Sequence, residues 1–140
     1  MARTVVVDAS VAVKWFVVEE YSDASLDLLR GHVAGSLTLA APALIQYEVL
    51  NALRYSHVFD VEKLTRVAKI LDDLQLALYS LARELAVLTA KTAYELDLTI
   101  YDAAYVALSK HLGARLITAD EEITAKYQDA VHISKAKDVL

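Results

Sequence analysis

The chain has 140 residues, enough for one compact domain, and carries 19 acidic against 14 basic side chains, a formal charge of −5. It has no cysteine, which excludes disulfides, thiolate catalysis and cysteine zinc sites, and its four histidines (His32, His57, His111, His132) show no pairing at metal-ligand spacing. An acidic chain exerts no general pull on a phosphate backbone, which argues against a simple nucleic-acid-binding module but not against a nuclease whose acids hold divalent metal, because the ion reverses the local sign.

Thr4-Val5-Val6-Val7 is a β-branched run that predicts a strand buried on both faces. Asp8-Ala9-Ser10 ends it, with Ser10 the expected cap of a helix over 11–18. A second helix is expected over 22–29, stopping near Gly31, and Leu37-Thr38-Leu39-Ala40 reads as a second strand closed by Pro42. Helices follow over 44–56 and, capped by Asp60, over 61–74. Residues 76–80 read as a third strand and 81–96 as a helix of good helix formers. Thr99 starts a helix over 101–112, with Gly113 as its stop. Arg115-Leu116-Ile117-Thr118 is a fourth strand, Asp120 precedes a short helix to about Tyr127, and Val131-His132-Ile133 is a candidate fifth strand.

The chain shows no linker, repeat or low-complexity stretch, and its three glycines and one proline imply short loops, so residues 1–140 read as a single domain. No apolar run reaches the roughly 20 residues of a membrane helix. The N-terminus has no signal-peptide layout, so the expected location is cytoplasmic. Strands alternating with helices imply an α/β fold: a central parallel sheet of four or five strands flanked by helices in three layers. Ligands of such sheets bind beyond the carboxyl ends of the strands. Asp8 and Asp120 stand there.

Four acids are candidates for the chemistry: Asp8, Glu48, Asp102 and Asp120. Each has a structural explanation when taken singly. Asp8 and Asp120 suit turns or helix caps, and Asp102 lies in a first turn, where a carboxylate favours the helix dipole. Glu48 shares a helix face with Leu44, Ala52 and Asn51, and is either solvated or paired with Arg54. The set says more than its members. Carboxylates converging at one end of a sheet raise each other's pKa values, and a divalent cation removes that penalty. An all-oxygen site prefers Mg²⁺ or Mn²⁺, and such an ion suits hydrolysis of a phosphodiester. Ser10 and Thr118, two positions from Asp8 and Asp120, together with Asn51, are placed to orient those carboxylates or a metal-bound water; capping and strand propensity are the plainer explanations of the two hydroxyls.

Four stretches, Val6-Val7-Asp8-Ala9-Ser10, Glu48-Val49-Leu50-Asn51-Ala52-Leu53, Tyr101-Asp102-Ala103-Ala104-Tyr105-Val106-Ala107-Leu108 and Leu116-Ile117-Thr118-Ala119-Asp120, occur in this order and span nearly the whole chain. In them the sequence resembles PIN domains, in particular the VapC-type toxins of prokaryotic toxin–antitoxin pairs. The resemblance implies a PIN-like fold and an Mg²⁺- or Mn²⁺-dependent endoribonuclease. It places catalytic and metal-binding roles on Asp8, Glu48, Asp102 and Asp120. It also implies a homodimer, with further pairing of dimers, and a VapB-like antitoxin that blocks the site. The chain departs from some relatives three residues beyond Asp120, where Ile123 replaces a further acid; Glu121 and Glu122 stand just before it.

Arg3, Lys14 and Arg54 are the basic residues near these stretches that would guide RNA, although each also reads as an ordinary solvated charge. Trp15 suits base stacking or, more simply, core packing. The helices over 11–18 and 44–58 are apolar enough to suggest a partner surface, a dimer interface and an antitoxin groove. Two phosphate-handling folds fit less well: a phosphoreceiver wants a Lys after the late strand, where Ala119-Asp120 stand, and a haloacid-dehalogenase-type phosphatase wants an Asp where Ser10 stands. The remaining alternative is a non-catalytic PIN-fold binding protein that keeps the metal site.

Overall fold

The computed structural model describes residues 2–140. Five parallel strands form its sheet: β1 (Arg3–Val7), β2 (Leu37–Pro42), β3 (Ala77–Tyr79), β4 (Leu116–Thr118) and β5 (Ala130–His132), in the order β3-β2-β1-β4-β5. β1 is central because Val5, Val6 and Val7 are almost wholly buried, as a strand covered on both faces must be. The crossovers are helical: α1 (Ala9–Ala12), α2 (Ser22–Ala34), α3 (Leu44–Arg54), α4 (Val61–Asp73), α5 (Arg83–Leu96), α6 (Ile100–Leu112), α7 (Glu121–Lys126) and a terminal α8 (Ala136–Val139). The strand order reverses after β3, so right-handed crossovers put α1–α4 on one face and α5–α6 on the other. The expected three-layer α/β fold is the observed one. Among the described residues, no helix is long and apolar enough to cross a membrane.

The register decides what meets at the carboxyl end. Val6 pairs with Leu116 and Val7 with Ile117, which sets Asp8 opposite Thr118. β1 is flanked by β2 on one side and β4 on the other, the switch point where open α/β sheets bind ligands.

Three local expectations are corrected. The first helix does not run to Val18: α1 ends at Ala12, tightens into a 3₁₀ turn over Val13–Trp15 and stops. Ser25 Oγ donates to the Val11 carbonyl at 2.6 Å, taking an acceptor that a continuing helix would use. Ser22 Oγ likewise holds the Val17 carbonyl at 3.0 Å, and the β-branched Val13, Val17 and Val18 add little helix propensity. Second, Ser10 is not the cap. Asp8 is, accepting from the Val11 N–H. Third, α2 does not stop near Gly31 but continues to Ala34, where Gly35 at φ 86° closes it. Gly31 serves close approach: a Cβ there would lie 2.8 Å from Leu37 Cδ1.

Other helix signals are observed as read. Asp60 accepts from the Lys63 N–H at the start of α4, Thr99 from Asp102 N–H at the start of α6, and Gly113 ends α6 at φ 60°. His32 is structural: its Nδ1 accepts from Leu39 N–H, so its Nε2–H donates to the Leu74 carbonyl at 2.8 Å.

Ile117 is wholly buried in β4 between both helical layers. Ile117→Ala should therefore lower unfolding free energy by about 2–5 kcal/mol, read as a lower urea midpoint with an unchanged slope.

Candidate active site

The site is built around one buried carboxylate. Asp8 follows the apolar β1 directly, is only 5% exposed, and has no basic side chain bonded to it. Ser10 Oγ donates to its Oδ1 and Thr118 Oγ1 to its Oδ2, each at 2.5 Å. Both hydroxyl oxygens are themselves acceptors, Ser10 from the Ala119 N–H and Thr118 from the Asp120 N–H, each at 2.9 Å. An N–H can only donate, so each hydroxyl proton is left to point at Asp8. The network ties the β1–α1 turn to the β4–α7 turn. The expected pairing of Ser10 and Thr118 with the acids is thus present as geometry, with both hydroxyls directed at Asp8.

Burial pushes the Asp8 carboxyl up to about 6, against the lowering effect of the Ser10, Thr118 and Val11 hydrogen bonds and with a smaller push from Asp120. The Asp102 carboxyl, half-buried in the first turn of α6, also lies above its ordinary value, through partial burial and then the charges of Asp120, Glu48 and Glu122. Asp120 thus acts on both Asp8 and Asp102, and Glu48 acts on Asp102.

Three of the four acids, Asp8, Glu48 and Asp120, are nonetheless held by protein donors. Asp120 Oδ1 caps α7, accepting from Glu122 N–H at 2.8 Å and Ile123 N–H at 3.4 Å, so the capping explanation of this residue is correct whatever else it does. Glu48 accepts a 2.5 Å hydrogen bond from Tyr105 Oη, with no pairing to Arg54. Among the described residues no three acids or histidines stand close enough to enclose an ion. Like charges without a counter-ion do not gather tightly, and here Asp8, Glu48 and Asp120 each bond a separate protein donor instead.

Tyr105 was missed as a site residue. It is 2% exposed on α6, and its phenol is pushed up strongly by burial and by the Glu48 carboxylate that it bonds. The signal was available: a tyrosine one turn after Asp102, on a helix face otherwise of Ala, Val and Leu, needs a polar partner for its hydroxyl. Asn51 is exposed on α3, lining the same groove as Glu48 without a hydrogen bond to it. Of the basic candidates, Lys14 is buried and bonded to Glu19 at 3.1 Å. Arg3 begins β1 and so lies at the opposite end of the sheet from the acids, while Arg54 lines the Glu48 groove. Trp15 packs against the core and donates to the Ser25 carbonyl at 3.0 Å, the plainer of its two readings.

The raised Asp8 value carries a sign. A folded-state pKa of about 6, above the ordinary 3.8, means that the group's stabilising contribution is complete below about pH 4 and lost as pH rises through 6. In metal-free protein, the stability of Asp8→Asn relative to wild type should therefore improve between pH 4 and pH 7.5, by an order of ~3 kcal/mol at most. Paired urea titrations across that range check it, and carbon NMR of the carboxyl groups should find the one titrating near 6 absent from the variant.

Residues 5–137 match the family model described as PIN domain. The chain is 33% identical over 132 residues to Ribonuclease VapC3 of Pyrobaculum aerophilum, covering 87% of this chain and 93% of that protein. A solved Pyrobaculum aerophilum protein is similar at 27% identity and TM-score 0.66, covering 97% of this chain and 95% of its own. A toxin–antitoxin complex from Klebsiella pneumoniae contains a chain of the same fold, with TM-score 0.71 at 16% identity and coverage of 92% and 97%. With a family match over nearly its whole length and a relative above 30% identity, the chain belongs to the PIN domain family.

Proposed function

We propose that the protein is an endoribonuclease dependent on Mg²⁺ or Mn²⁺ and the toxin of a VapBC-type toxin–antitoxin pair. The observation that carries this reading is the buried Asp8 carboxylate at the carboxyl end of β1, with Asp120 acting on it from beyond β4 and Asp120 and Glu48 acting on Asp102, in a chain similar to a protein named as a ribonuclease.

The donor chemistry fits a hard divalent cation. All four groups are carboxylates, and the one buried cation among the described residues, Lys14, is paired with Glu19 rather than with them. The acids would have to draw together around the ion, since none of them forms a closed cage as they stand. When bound, the cation would polarise a phosphoryl oxygen and lower the pKa of an attacking water. The chain's own residues do the rest. Ser10 and Thr118 hold both oxygens of Asp8 in one orientation. Tyr105 fixes Glu48, and Asp120 keeps one oxygen on the α7 amides while the other stays free. The second reading is a non-catalytic PIN-fold binding protein that keeps the metal site and its partner but does not cut.

The proposed partners are RNA, a VapB-like antitoxin and a second copy of the chain. The toxin–antitoxin complex among the similar structures supports the antitoxin. Exposed apolar side chains support a protein partner: Val87 and Tyr94 on α5 are 52% and 91% exposed. The first helix contributes little of this surface, because Val11 and Ala12 are buried.

Purified protein should cleave a long structured RNA in Mn²⁺ or Mg²⁺ and stop in excess EDTA. Asp8→Asn and Asp102→Asn should each reduce the rate at least ~100-fold, because Asn keeps the shape and loses the charge. Tight metal binding without cleavage of any RNA would favour the non-catalytic reading. Tyr105→Phe, which keeps the ring and removes the Glu48 bond, should cost about 10- to 100-fold in activity or metal affinity with the fold intact by circular dichroism. Light scattering after size exclusion should give twice the chain mass at micromolar concentration; a strict monomer would remove the homodimer.

A further inference from the structure

Two of the four acids directly follow an exposed tyrosine. Tyr47 precedes Glu48 on α3 and Tyr101 precedes Asp102 on α6, and the two side chains are 76% and 61% exposed. Both line one open groove of about 580 Å³ whose wall also includes Glu48 and, farther along, Tyr55. The Arg54 guanidinium lies 5.2 Å from the centre of the Tyr55 ring. Rings exposed to this degree add little to packing within the domain. Three tyrosines and an arginine along one groove form the kind of surface on which nucleobases stack, since every base has a face and stacking is tolerant of sequence.

A protein segment is the competing occupant, because Leu44, Leu50 and Leu64 also line the groove. Two observations favour nucleic acid. The groove contains Glu48, one of the four candidate acids, and Tyr101, which directly precedes Asp102, so a strand with its phosphate at the acids would pass beside both tyrosines. The chain is also acidic overall, with 19 acids against 14 bases, so affinity from phosphate contacts is limited and base faces are the remaining source.

We propose that Tyr47 and Tyr101 are positioning residues that stack on the bases flanking the scissile phosphate of single-stranded RNA, with Tyr55 and Arg54 continuing the platform. This rests on the ribonuclease reading above. It makes the preferred substrate an unpaired segment, because bases held in a duplex cannot reach the rings.

The test uses an unpaired oligoribonucleotide that the wild type cleaves in Mn²⁺, and copies of it with one abasic position on either side of the cut. Tyr47→Ala and Tyr101→Ala should each raise KM, and the Kd measured in EDTA, about 5- to 100-fold with kcat little changed, while Tyr47→Phe and Tyr101→Phe stay within about twofold of wild type. An abasic position should cost the wild type a similar factor, and that cost should vanish in the matching alanine variant. Unchanged KM and Kd in both alanine variants would overturn the proposal. An abasic penalty undiminished in the variants would do the same. Alanine variants that bind RNA normally but lose self-association by light scattering would overturn it in favour of a second copy of the chain. In all three cases wild-type cleavage would leave the ribonuclease reading standing. A wild type that binds the oligonucleotide in EDTA yet cuts no RNA would defeat that reading alone, and stacking would then be judged on Kd.

Discussion

The hydrogen-bonded grip on Asp8 is the contact on which the arrangement of this protein turns. A carboxylate 5% exposed with no cation bonded to it is costly, and burial raises its pKa to about 6. Two hydroxyl donors offset part of that cost. Because each hydroxyl also accepts a backbone N–H from the β4–α7 turn, the grip orders the turns as well as the carboxylate. Removing either hydroxyl would loosen Asp8 and leave a backbone N–H of the β4–α7 turn without its acceptor.

The other acids are arranged by the same kind of bond on weaker terms. Glu48 is tied to Tyr105 and Asp120 to the first turn of α7, and among the described residues no three acids are gathered into a cage. Such a site stores unfavourable charge that a divalent cation would relieve, which is the physical core of the proposed reaction. On that reading, ion binding would return stability that the buried Asp8 carboxylate costs the free protein. Tyr47 and Tyr101, beside Glu48 and Asp102, line one groove between α3 and α6, so the proposed chemistry and the proposed substrate path would share that groove.

Much of the fold was legible because each element carries local signals. The valines of β1, the caps Asp60 and Thr99, and Gly113 act within a few residues of themselves, and the elements they mark are observed within two residues of expectation. The errors fell where distant groups intervene. The first helix is cut short by Ser22 and Ser25, which take carbonyls from 5 and 14 residues away, and α2 continues through Gly31 because that position faces Leu37 of the neighbouring strand.

The candidate site divides in the same way. The sequence alone determined the α/β class, the four acids and the placing of Asp8 and Asp120 beyond strand ends, since alternation of apolar runs and the residues that end them are local facts. Only the tertiary structure decided that β4 lies beside β1 in the register that brings Thr118 to Asp8, that Tyr105 reaches Glu48 across 57 residues, and that Lys14 is held by Glu19 away from the acids. Partners so distant in sequence are chosen by strand order and helix packing, and no local pattern encodes them.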